Sequence, residues 1–137
     1  MKKTLLLLPV LFLAACTGSG MDSGLLLQEI NTDETQVFVK RDTGFATPLA
    51  LVRVTLDGNS IGELGNVERI SANAKGDSGI ISANFTGIAS YLSLSGTKKF
   101  NINKGEKLFF IVEQDFSGMK LPKISINQTD KKDFFSK

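Results

Sequence analysis

Cys16 is the only thiol in a chain of 137 residues that has no histidine and no tryptophan. That inventory limits the chemistry. A thiolate is a far better nucleophile than a hydroxyl, and here there is one place for it. Without histidine the commonest general base and the commonest metal ligand are both gone. Ser78 could attack a substrate only if a base took its proton, and Lys75 is the one neighbour of the right type. A lysine does that work when it is desolvated, and nothing in the polar run Lys75-Gly76-Asp77-Ser78 suggests burial. Asp57, Glu63, Glu68 and Asp77 have neither the spacing of a calcium loop nor that of an acid pair. The expectation is no catalytic site, no metal site and no cofactor.

The residues ahead of Cys16 explain its position. Met1-Lys2-Lys3 is a short positive start, Thr4 to Phe12 is apolar, and Ala14 and Ala15 are small. This is the layout of a secretory signal. The apolar run is well short of the roughly 20 residues that cross a bilayer. Leu13-Ala14-Ala15-Cys16 resembles the lipobox of bacterial lipoproteins. The resemblance implies cleavage between Ala15 and Cys16, an S-diacylglyceryl group on Cys16 and usually an acyl group on the new amino terminus. Each buried methylene adds about 0.8 kcal/mol to membrane attachment, so two or three chains hold a protein where one does not. Residues 1–15 are then signal and 16–24 a lipidated cysteine with a Gly/Ser-rich tether. Residues 25–137 are the folded domain. Thr17 follows the cysteine where an aspartate favours retention in the inner membrane, so the resemblance points to the outer membrane.

Charge and composition bound the rest. Lys2 and Lys3 leave with the signal, taking sixteen cations to fourteen against fourteen carboxylates. A neutral domain has no electrostatic footprint for nucleic acid. With Cys16 lipidated no disulfide is possible, and the domain rests on its apolar core, which its length allows.

From Gln36 onward the pattern is β. Gln36 to Arg41 is apolar on both faces, as in a covered strand. Val52, Val54 and Leu56 alternate with Arg53 and Thr55. Asp57-Gly58 is a hairpin signal, and further turns sit near Gly65, Gly76, Gly96, Gly105 and Gly118. Ile81, Ala83 and Phe85 alternate, as do Leu92 and Leu94, then Phe100 and Ile102. Leu108 to Val112 reads as the most buried strand. Leu25 to Ile30 fits either a short strand or a turn or two of helix. The pattern predicts an all-β fold: a single antiparallel β-sandwich, or a small barrel, of about eight or nine short strands. Lys98, Lys99, Lys104 and Lys107 read as the solvated face of an edge strand or as a patch for anionic head groups. Phe134 and Phe135 in the polar tail either pack back on the domain or sit at a membrane interface.

Two further resemblances follow from these strands. Gln36 to Arg41, Val52 to Leu64 and Ile102 to Phe110 are similar to the opening strand, the hairpin and a late strand of a domain-of-unknown-function family of small envelope lipoproteins. The same motifs look like the β-sandwich modules named after a Pro-Glu-Gly-Ala signature, which this chain lacks. Neither group implies a catalytic site. Gly76-Asp77-Ser78-Gly79 resembles the nucleophile segment of trypsin-like proteases, whose mechanism needs a histidine; here it reads as a turn. The functional expectation is a lipid-anchored protein of the bacterial envelope, held to the membrane through Cys16. It acts as a non-catalytic binding module on an envelope protein or ligand. Other expectations are an exclusion or immunity lipoprotein of phage or plasmid origin, and an unrecognised envelope enzyme.

Overall fold

The computed structural model describes Ile30 and residues 33–42, 50–91, 93–116 and 121–136. The signal, Cys16, the tether and Leu25 to Glu29 lie outside the described residues. Eight strands form: β1 (Gln36–Arg41), β2 (Val52–Leu56), β3 (Asn59–Leu64), β4 (Arg69–Asn73), β5 (Ser78–Phe85), β6 (Gly96–Asn101), β7 (Lys107–Asp115) and β8 (Lys123–Thr129). One sheet runs β4-β1-β7-β8 and the other β3-β2-β5-β6. They pack face to face as a sandwich, with Val39, Val54, Ile81, Phe85, Phe110 and Ile124 among the buried side chains between them. The barrel alternative is not realised. The sheets touch at one corner, where Leu94 bridges to Lys123 ahead of β6, and they do not close.

The expected antiparallel pairing needs one correction. β1 and β7 pair in parallel, Gln36 opposite Lys107 through Arg41 opposite Val112, while the other five strand pairs are antiparallel. Hairpins force neighbouring strands to run oppositely. β1 has no hairpin partner, so its direction is set by burial alone. Both its faces are covered. Val37 and Val39 enter the sandwich, and Phe38 enters a second cluster on the outer face with Phe109, Phe134 and the partly buried Ile30 and Phe135.

That second cluster exists because the tail folds back. Asp130 Oδ1 accepts a hydrogen bond from the Asp133 amide at 2.8 Å and caps a helical turn, α1 (Lys131–Phe135). An aspartate at the first cap position is among the strongest helix starts. Phe134 is fully buried, with its ring centroid 5.2 Å from that of Phe109. Of the two places open to Phe134 and Phe135, the packed one is found. Lys40 Nζ donates to the Ser136 carbonyl at 2.7 Å, and Arg69 donates to the carbonyls of Phe134 and Ser136 at 3.3 Å each. Cations there suit the negative end of a helix. Burial, and then Arg69 alongside, hold the Lys40 ammonium below its ordinary range, against the pull of Asp42. The unfolded chain therefore keeps that proton to higher pH than the folded one. Stability is expected to rise as pH climbs through the folded value towards that of free lysine. Thermal unfolding from pH 7 upward should show the rise in wild type and lose it in Lys40→Met.

Two backbone positions fix the ends of strands. Asp57 and Gly58 both have positive φ, 51° and 80°, the twist a two-residue hairpin needs. A Cβ on Gly96 would stand 2.2 Å from the Ile124 carbonyl oxygen, so β6 passes β8 at a distance only glycine permits. Gly96→Ala should cost about 2 kcal/mol, as overpacked sites do, measurable as a lowered urea midpoint.

Candidate functional site

The residues singled out for chemistry do not converge. Cys16, with Ala15 and Thr17, lies outside the described residues. Ser78 and Lys75 are both exposed at the turn into β5, so nothing desolvates the lysine amine. Asp57 accepts from the Ile80 amide at 2.9 Å and ties its hairpin turn to β5. Glu63 pairs with Arg53 at 2.8 Å across β2 and β3. Glu68 accepts from the Gly65 amide at 2.7 Å. These three carboxylates each serve a local contact, and Asp77 is exposed at the turn into β5. The four lysines separate as well. Lys98 and Lys99 stand on β6, the edge strand of its sheet, and Lys107 Nζ turns back to the Glu34 carbonyl. Among the described residues no group of three acidic or cysteine side chains could hold a metal ion.

The two ends of the sandwich differ. Strand register and the Leu94 bridge place residues 50–51, 65–68, 86–91, 93–95, 116 and 121–122 at one end. Residues 57–58, 74–77 and 102–106 lie at the other. Seven large apolar side chains are exposed among the described residues. Six of them belong to the first end: Val67, Ile88, Tyr91, Leu94, Phe116 and Leu121. Scattered exposed apolar residues are ordinary, but a contiguous group marks a contact surface. The chain comes in at the opposite, polar end, where the Gly105 amide donates to Thr35 Oγ1 at 2.8 Å.

Several of these apolar residues are held by a defined frame. Residues 87–91 form a 3-10 turn after β5, beginning at the break read at Gly87. Gly87 takes φ 62°, and Ser90 Oγ donates to its carbonyl at 2.7 Å. Ala89 packs on the core, leaving Ile88 and Tyr91 outward at 85% and 80% exposure. Ser93 Oγ and the Leu94 amide both donate to the Pro122 carbonyl at 2.8 Å, and the Ile124 amide donates to the Leu94 carbonyl at 2.8 Å. This joins Leu94 to Leu121. Val67 holds φ 57°, a left-handed conformation that is a true outlier for a β-branched residue. Arg69 Nη1 donates to its carbonyl at 3.3 Å, and the Glu68 amide closes the turn onto the Gly65 carbonyl. Val67→Gly should raise stability by about 0.5–1 kcal/mol by removing that cost, seen as a higher melting temperature.

Beneath this end lies a buried charge. Arg41 is fully enclosed, pointing inward at the end of β1. Its Nη1 donates to the carbonyls of Ala50 and Leu64, the latter at 3.1 Å, and its guanidinium lies 5.9 Å from the Phe85 ring centre. Burial lowers its pKa from the ordinary arginine value, while Glu68 raises it.

Grooves on the surface are shallow. The open half of the outer face beside β7 and β8 carries one of about 390 Å³, lined by Asp42, Glu113, Gln114, Asp115, Ser125 and Asn127. Asn127 Nδ2 donates to Glu113 Oε2 across it at 2.8 Å. An apolar slit between β3 and β4, lined by Leu56, Ile61 and Ala72, holds about 80 Å³, well under the roughly 300 Å³ a small-molecule site needs.

No family model matches the chain. No curated protein matches it either. Among solved structures it is similar to an NMR structure of a protein from Eubacterium rectale, at 14% identity and TM-score 0.45, over 81% of this chain and 96% of that one. The apolar end is therefore defined by geometry alone. Its residues gave little signal in sequence: Leu94 alternates like a core position, and Ile88 and Tyr91 differ from buried neighbours only in following the break at Gly87.

Proposed function

We propose that this protein is a lipid-anchored envelope lipoprotein whose domain works by binding, with no catalysis of its own. The observation that carries the reading is the gathering of exposed apolar side chains at the end opposite to the one where the chain comes in. A domain tethered through Cys16 presents that end away from its anchor. The lipobox-like Leu13-Ala14-Ala15-Cys16 supports attachment to the membrane, and Thr17 supports the outer membrane as its place.

Cys16→Ser is expected to abolish incorporation of radioactive palmitate and to leave an uncleaved precursor. Equal labelling of that variant would sink the anchor. Crosslinking in intact cells, with mass spectrometry of the adducts, should yield a discrete partner for wild type that is lost with Cys16→Ser. Absence of any adduct besides the protein itself would count against a binding module.

A further inference from the structure

We infer that the open edge of β6 takes an added strand from a partner protein, and that the strand it takes is acidic. This rests on the reading of the domain as a binding module and gives it a second contact surface of stated chemistry. Four strands are edges, β4 and β8 in one sheet and β3 and β6 in the other. β3 carries a bulge at Ile61, opposite the step from Val54 to Thr55. β4 lies along β3 across the apolar slit. β8 is bonded at its start to Leu94. β6 keeps an unbroken register with β5, from Gly96 opposite Ala83 to Asn101 opposite Ser78. The Ile102 amide donates to the Asp77 carbonyl at 2.9 Å. Bonded and non-bonded pairs alternate along an antiparallel ladder, so Phe100, Lys98 and Gly96 turn their backbone groups to β5. The amides and carbonyls of Thr97, Lys99 and Asn101 point away from it, and among the described residues no turn or loop bonds to them. All three residues are exposed. Evenly spaced outward donors and acceptors of this kind are a template for one more strand.

Charge chooses the occupant. Lys99 stands opposite Ile80 on the outer face, and Lys98 shares the core-facing side of β6 with the buried Gly96 and Phe100 yet is itself exposed. Among the described residues the ion pair of this sheet joins Arg53 to Glu63, on β2 and β3, and leaves both lysines out. β5 has no charged residue from Ser78 to Phe85, and β8 has only Lys123. Asp77 is the first carboxylate along the sheet. It lies three residues before Ile80 and four before Ile81, the partners of Lys99 and Lys98, which is about 10 Å or more along the strand. Glu106, beyond it, accepts from the Asn103 amide at 2.7 Å. A second copy of this edge would set lysines against lysines, which is destabilising. An extended segment with carboxylates at alternate positions bonds to the backbone of Thr97, Lys99 and Asn101 and brings its negative charges to the two ammonium groups. The same lysines reject basic strands, which supplies selectivity.

The test uses the lipidated protein in phosphatidylcholine nanodiscs and a fluorescein-labelled peptide of about seven residues in which valine and glutamate alternate. Anisotropy should show binding above that to empty nanodiscs and weakening with added salt. The peptide with lysine in place of glutamate should not bind. Nor should the glutamate peptide methylated on alternate backbone nitrogens, which keeps the charge and loses the ladder. Lys98→Glu with Lys99→Glu should weaken binding about tenfold or more. Asn101→Pro should weaken it too, because it removes one outward amide and leaves the bonds to β5 in place, a position where an edge strand tolerates proline. Lys132→Ala, on α1 over the other sheet, should leave binding unchanged. Melting curves confirm that each variant is folded. Equal binding of the methylated peptide would mean attraction by charge alone and would overturn the added strand, as would indifference to Asn101→Pro. Equal binding of the lysine peptide would overturn the acidic partner. No binding of the glutamate peptide to the wild-type protein would overturn this edge as a site, while the binding module itself stands or falls with crosslinking in cells.

Discussion

Phe134→Ala is expected to lower the free energy of unfolding by about 4 kcal/mol, the range for emptying a buried phenylalanine site. Phe134 is fully buried yet lies in a helical turn of five residues, far too short to hold its own shape in water. The turn exists because its ring is gripped. Phe38, Phe109 and Phe135 meet it within 6.3 Å centroid to centroid, and the Arg69 guanidinium lies 5.8 Å from its centre. Losing the ring releases the turn, uncovers Phe38 and Phe109, and strands the donors of Lys40 and Arg69. Phe135→Ala, at a half-buried site, should cost about 1 kcal/mol. Circular dichroism against urea reads both, since the chain has no tryptophan. Equal midpoints for the two variants would mean that α1 is not a structural cover.

Arg41→Met is expected to cost about 3 kcal/mol. Two effects oppose each other here. A buried guanidinium carries a desolvation penalty, and replacing a buried charge by a well-packed hydrophobe is sometimes neutral or stabilising. Against this, Arg41 Nη1 supplies both the Ala50 and the Leu64 carbonyl. Each acceptor left buried without a donor costs about 1–3 kcal/mol, and Glu68 loses its favourable neighbour. The orphaned acceptors win. Arg41→Lys should recover part of the loss, because its ammonium keeps donors for these carbonyls but is more strongly hydrated and so costs more to bury. A methionine variant as stable as wild type would show that the penalty for burying the charge is the larger quantity.

The sandwich was legible because its strands carry their own signals. Val52, Val54 and Leu56 alternate and Asp57-Gly58 demands a hairpin, so β2 and β3 could be placed by local rules. β1 reads as covered on both faces, and it is. What covers its outer face was not legible, because Phe134 lies nearly a hundred residues away and its helical turn follows a polar run. Asp130 with Asp133 three residues later was the one available sign of a cap. Lys40, Arg41 and Arg69 have the composition of surface charges, and only the fold shows that they serve carbonyls. The candidate surface escaped notice for the opposite reason. Its residues have the composition of a core, and exposure is a property of where loops end up, not of residue type. The direction of β1 beside β7 was likewise invisible, since no local motif encodes a pairing between distant segments.

That pairing also dictates a schedule. β1 is an interior strand of its sheet, but the strand it lies parallel to begins about 70 residues later. Contacts of such span are slow to form, because the intervening loop must be closed before they return any free energy. A chain made from its amino terminus has Val37-Phe38-Val39 ready while β7 is still missing. During that interval the segment is apolar on both sides, with open backbone groups on its β7 edge, the profile of a segment prone to aggregate. The last third of the sequence therefore decides when the first strand becomes safe.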